Sequence, residues 1–106
     1  MQKSATSKTE EMEIITWGLL QSKDVLDGSG NYVGRLRGIM IDDKWTIPNV
    51  IIEVNHDILD EFGIETSVLD VALVNLPSQY VKNVGDVVQL TDDVASLKGF
   101  AKLYFE

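Results

Sequence analysis

The sequence predicts a mainly β fold, a small closed sheet with one or two short helices, and three observations carry that reading. Residues 24–42 form two apolar runs joined by Asp27, Gly28, Ser29, Gly30 and Asn31, residues that accept positive φ or hydrogen-bond their own backbone. This is the pattern of two strands and a tight polar turn. Within the second run the apolar side changes between Leu36 and Ile39. One residue out of register restores a single apolar face, and Gly38 is the place where such a bulge is least strained. Bulged, strongly coiled strands belong to small closed sheets. The third observation is that alternating apolar runs bounded by turn residues recur after residue 49.

Composition sets the frame for these elements. A chain of 106 residues builds one core, and 44% hydrophobic with 25% charged residues is the balance of an ordinary globular domain. No run approaches the roughly 20 apolar residues of a membrane span, and residues 1–13 lack the apolar centre of a secretory signal, so a cytoplasmic location without membrane insertion is expected. The absence of cysteine excludes disulfides, thiolate metal sites and cysteine nucleophiles. Nine basic against seventeen acidic residues give a net charge of −8, which opposes nucleic acid and anionic surfaces. Arg35 and Arg37, the densest basic spot, read as the solvent side of a strand.

Taken in order, residues 1–13 are polar and read as a flexible tail; residues 14–106 read as the domain. Ile14, Ile15, Trp17, Leu19 and Leu20 begin the apolar part, as a short strand or a segment packed under the sheet. After the hairpin, residues 43–49 turn the chain again, with Pro48 holding Ile47 extended. Trp45 at this loop tip is either a lid on the core or an exposed anchor for a partner. Residues 50–55 are a strand, apolar on both sides at its start, hence central. Asn55 is placed to cap a short helix ending at Gly63, with Ile58, Leu59 and Phe62 inward. In the next strand Leu69, Val71 and Leu73 share one face, and Val68, Ala72 and Val74 the other. Residues 76–84 read as a turn or one helical turn opened by Pro77, residues 87–90 as a strand, and Val94, Ala95 and Leu97 as a last short helix capped by Thr91 or Asp92. The aromatic end, with Phe100, Leu103, Tyr104 and Phe105, either adds an edge strand to its own sheet or docks on another chain.

Chemistry is sparse. His56 is the only histidine, so neither a histidine triad nor a multi-histidine metal site can be built within one chain. Asp57, Asp60 and Glu61 read as the solvated face of a helix. Asp27, Ser29 and Asn31 have the spacing that starts a calcium loop, but Tyr32 and Gly38 stand where that loop needs glycine and glutamate. Gly28, Gly30 and Gly34 precede a strand and lack the Lys-Ser/Thr of a phosphate loop. No catalytic, metal or cofactor site is expected. The candidate site residues are therefore partner contacts: Trp45, Phe100, Leu103, Tyr104 and Phe105.

The stretch from Leu20 to Val25, then Asp27, Gly30, Val33, Gly34, Leu36, Ile39 and Asp42, resembles the opening of PRC-barrel domains, the small β-barrels of the photosynthetic reaction-centre H subunit and the ribosome-maturation protein RimM. Residues 77–82 and 84–90 are similar to the end of that domain, so the likeness covers roughly residues 17–91. Ser22 stands where the family often has glycine. The short, acidic, stand-alone form is similar to archaeal members. That resemblance implies a non-enzymatic adaptor of FtsZ-based cell division, recruited to the division site, with SepF as partner; a homodimer is the default assembly if one exposed aromatic patch is self-complementary. The alternative it implies is a ribosome-maturation factor of RimM type that binds a ribosomal protein.

Overall fold

The computed structural model describes residue 20, residues 22–65 and residues 70–104. Among the described residues, seven strands, β1 (Asp24–Leu26), β2 (Tyr32–Met40), β3 (Asn49–Asn55), β4 (Val71–Pro77), β5 (Val81–Val84), β6 (Val88–Leu90) and β7 (Lys102–Leu103), form one sheet in the order β5-β6-β1-β2-β3-β4-β7. All neighbours are antiparallel except β1 and β6. A helix, α1 (His56–Glu61), follows β3, and 3₁₀ turns cover Ser78–Tyr80 and Val94–Leu97.

The hairpin expected over residues 24–42 is present, and so is its bulge. Against β3, Leu36 pairs with Ile52 and Gly38 with Ile51, so Arg37 is the extra residue. Against β1, the register slips as well, with Val25 opposite Gly34 and Leu26 opposite Tyr32. Two slips turn a period-two strand into one whose inward residues are Val33, Leu36 and Ile39, every third position, and all three reach one core. Each bulge also increases local twist, so β2 is where the sheet coils. The bulge does not need a glycine at Gly38: its φ is not positive, and a Cβ there would meet Ile51 at an ordinary 3.6 Å. Gly34 is the glycine the fold requires.

The core shows how far the sheet curls. Val25, Val33, Leu36, Val50, Ile52, Val54, Val74, Leu76, Val88 and Leu90 from five strands make one cluster with Leu59 of α1, with Phe62 at its C-cap and with Val94 and Leu97 of the last 3₁₀ turn. The expected closure is absent among the described residues: β5 and β7 each have a single neighbour, so the sheet is coiled but not closed. β7 is only two residues long, and side chains from α1 and the 3₁₀ turns, rather than further strand pairing, complete the core.

Other boundaries moved for local reasons. β4 runs on through Leu76 to Pro77, because proline in the last position forfeits no ladder bond. Its pairing turns Ala72, Val74 and Leu76 inward opposite Val54, Ile52 and Val50, and leaves Val71 exposed; Val68 and Leu69 lie outside the described residues. Residues 81–84, expected within a turn, form strand β5. The strand expected from Val87 starts at Val88, since Val87 accepts the Gly85 N–H in a tight bend. Val94–Leu97 is a 3₁₀ turn preceded by Asp93, with no side-chain cap from Thr91 or Asp92. Residues 1–13, and Ile14 to Leu19 of the first apolar run, lie outside the described residues; Leu20 packs partly buried against the core.

Candidate functional site

Two loops of the same construction flank β2. In the first, the Asp27 N–H donates to the Asn31 carbonyl at 2.8 Å, the Gly30 N–H donates to the Asp27 carbonyl at 3.0 Å, and the Asp27 carboxylate accepts the Ser29 and Asn31 N–H groups at 2.9 Å each. In the second, the Asp42 N–H donates to the Thr46 carbonyl, the Trp45 N–H donates to the Asp42 carbonyl, and the Asp42 carboxylate accepts the Lys44 and Thr46 N–H groups, at 2.9 to 3.0 Å throughout. Both are aspartate-nucleated turns, in which the short carboxylate satisfies donors that no strand can reach.

Their difference is where the interest lies. The fourth residue of each loop is left-handed: Gly30 at φ +89° in the first and Trp45 at φ +63° in the second. Glycine occupies that region freely, whereas a bulky L-residue there costs about 1–2 kcal/mol. The first loop is also docked, through the Gly28 N–H to the Asp92 carbonyl at 3.0 Å and the Ser29 hydroxyl to Asp93 Oδ1 at 2.6 Å, and Asp27 is 4% exposed. The second projects. Trp45 is 85% exposed, and Met40, Ile41 and Ile47 beside it are exposed too. Of the two roles weighed for Trp45, lid or exposed residue, the side chain takes the second position in space.

The loop is held at its base rather than at its tip. The Ser78 N–H donates to the Pro48 carbonyl at 2.8 Å and the Ser78 hydroxyl to the Ile47 carbonyl, which tethers the start of β3 to the end of β4. Hydrogen bonding to Asp42, from the Thr46 hydroxyl above all and then from the Thr46 N–H, holds its carboxyl below the ordinary value of 3.8.

The aromatic end divides. Lys102 and Leu103 form β7 on the edge of β4, and the Tyr104 N–H continues the pairing by donating to the Leu73 carbonyl at 2.9 Å, so this part of the terminus is an edge strand of its own sheet. Leu103 packs against the core and Tyr104 is half-buried. Phe100, just before it, is 51% exposed, its ring tilted 44° to that of Tyr80 with centroids 5.2 Å apart. It lines a shallow pocket with Asn49, Pro77 and Lys102, at the end of the sheet where the Trp45 loop enters β3. Phe105 lies outside the described residues. The structure thus places Trp45 and Phe100 at one end, both outward, while Leu103 turns inward. Ile41 and Ile47 were missed by sequence reasoning, although the shared Asp-x-x-x-Asn/Thr pattern at residues 27–31 and 42–46 marks the second loop as a copy of the first.

Elsewhere the polar chemistry is superficial. Asn55 caps α1, its Oδ1 accepting the Ile58 N–H at 3.1 Å, and His56 lies 3.6 Å from Asp60 on the exposed side. Arg35 and Arg37 are exposed, with Arg37 paired to Glu53 at 3.0 Å. Among the described residues, no three His, Asp or Glu side chains gather into a metal-binding group, and no helix is long and apolar enough to cross a membrane. In comparison with known proteins, the chain matches no family model and no curated relative.

Proposed function

We propose that this chain is a non-enzymatic protein-binding module of the PRC-barrel type, working as a homodimer and docking on SepF in FtsZ-based division through the Trp45 end of the sheet. One observation carries the reading: a tryptophan, 85% exposed, holds the left-handed turn position that glycine fills without strain in the sister loop. Residues held in such conformations cluster where ligands are bound, and tryptophan is among the commonest energetic anchors of protein interfaces. The choice of partner rests on the resemblance of residues 17–91 to PRC barrels. Ser22, at the family's glycine position, has a left-handed φ of +71°, the conformation glycine favours, which supports that resemblance.

Trp45→Gly tests the proposal from both sides. In calorimetry the unaltered chain binds SepF at tens of micromolar or tighter. The variant weakens that by about 2 kcal/mol, roughly 30-fold, as loss of an anchor does. Its melting temperature stays level or rises, because relief of left-handed strain offsets the roughly 0.5–1 kcal/mol entropic cost of glycine. No binding by the unaltered chain, or equal binding by both, defeats the proposal. The net charge of −8 favours a second reading, a basic ribosomal protein as partner. Co-sedimentation with small-subunit precursors that salt abolishes would point there.

A further inference from the structure

The Trp45 loop offers a partner very little main chain. Of the five N–H groups of residues 42–46, four are engaged inside the loop: Asp42 donates to the Thr46 carbonyl and Trp45 to the Asp42 carbonyl at 3.0 Å, and Lys44 and Thr46 donate to the Asp42 carboxylate at 2.9 Å. An added strand needs free main-chain groups, so recognition by strand pairing is closed to this segment. What the loop does present is side chain. Residues 43–48 are all exposed, Trp45 at 85%, and Met40 and Ile41 before them are exposed too. The Thr46 hydroxyl also donates to the Asp42 carboxylate, so each bond that closes the loop begins or ends on Asp42. Below it the base is fixed, because Ser78 donates to the Ile47 and Pro48 carbonyls.

Taking Trp45 as the anchor proposed above, we infer that its loop is a preformed knob, that the surface it fits is an apolar pocket on the partner deep enough for an indole, and that Asp42 and Thr46 are its positioning residues. Hydrogen bonds hold Trp45 at φ +63° before any contact, so its backbone is ordered in the free chain and binding costs less entropy than closing a loose loop would. A flat face covers one side of an indole that projects on a loop. A pocket covers both sides and removes the whole apolar surface from water, while Met40, Ile41 and Ile47 form the surround that excludes solvent.

In the free chain, nitrogen relaxation at the Trp45 amide gives an order parameter of about 0.85, the value of rigid backbone, and Asp42→Ala drops it below about 0.6 with little change in melting temperature. Calorimetry with SepF shows Asp42→Ala weakening binding about tenfold and Thr46→Val less, while Asp42→Asn, which keeps an acceptor, retains most of the affinity. In a Trp45→Gly chain the Asp42→Ala change has no further effect, because Asp42 acts through the indole. Trp17→Phe leaves Trp45 as the sole tryptophan, and adding SepF then shifts its emission to the blue and cuts its quenching by acrylamide several-fold. A mobile Trp45 amide in the unaltered chain, a rigid one in Asp42→Ala, or an undiminished loss in the Trp45→Gly background overturns the positioning role. Binding that leaves Trp45 as quenchable as before overturns the pocket. So does a blue shift that appears without SepF as the chain is concentrated, which makes the occupant a second copy. No binding of SepF by any chain defeats the proposed function instead, and the order parameters still decide whether the knob is preformed.

Discussion

A Cβ on Gly34 would lie 2.0 Å from the Glu53 carbonyl oxygen, closer than any real contact, and the obstacle is backbone that cannot rotate away. Gly34→Ala is therefore expected to destabilise the domain by about 3 kcal/mol, the upper part of the usual overpacking range. In a chain this size that lowers the melting temperature by more than about 10 °C, whereas Gly38→Ala, with an ordinary 3.6 Å contact to Ile51, changes it little. Equal melting of the two variants would refute the assignment. Asp42 carries the residue-scale pH dependence. Its folded pKa is lowered, so its contribution is fully present above 3.8 and is lost as pH falls through the lower folded value. The Thr46 amide resonance should report that midpoint below 3.8, and Asp42→Asn should flatten the titration. A midpoint at or above 3.8 would remove the hydrogen bonds to Thr46 from the account. At this scale the sequence was legible where chemistry is local, as at Asn55 capping Ile58, and silent where it is not: nothing near Gly34 in the chain announces the approach of Glu53.

At the scale of elements, the terminus decides between strand and arm. β7 supplies Leu103 to the core, and the buried Ala101 precedes it. Removing everything after Gly99 therefore strips apolar groups from the interior and uncovers the edge of β4. The loss is expected to be about 3 kcal/mol or more, read as a fall in melting temperature. Unchanged melting with altered association would instead make the segment an arm for other chains. The elements that sequence reasoning misplaced share a cause. β5 carries two polar residues between two valines, and the end of β4 contains proline. Neither has a periodic signal of its own, and each is a strand because a partner strand lies beside it.

At the scale of the whole molecule, two slips of register in β2 coil the sheet around a single core, no closure forms among the described residues, and helical side chains finish the enclosure. Coiling also leaves one end of the sheet to the Trp45 loop, with Phe100 beside the start of β3, while the third exposed aromatic among the described residues, Tyr32, lies at the other end of β2 near Asn55. The chain by itself determined the β class, the hairpin of residues 24–42, the bulge near Gly38, the capped helix after Asn55 and the central place of β3. Each depends on backbone preference, short-range hydrogen bonding or apolar periodicity, all settled within a few residues. Only the tertiary structure decided that β1 runs parallel to β6, that the sheet stops short of closure, that β7 pairs with β4, and that Trp45 stands in solvent in a left-handed turn. Those outcomes depend on which distant segments meet and what water can reach, and burial and pairing across sixty residues have no local signature.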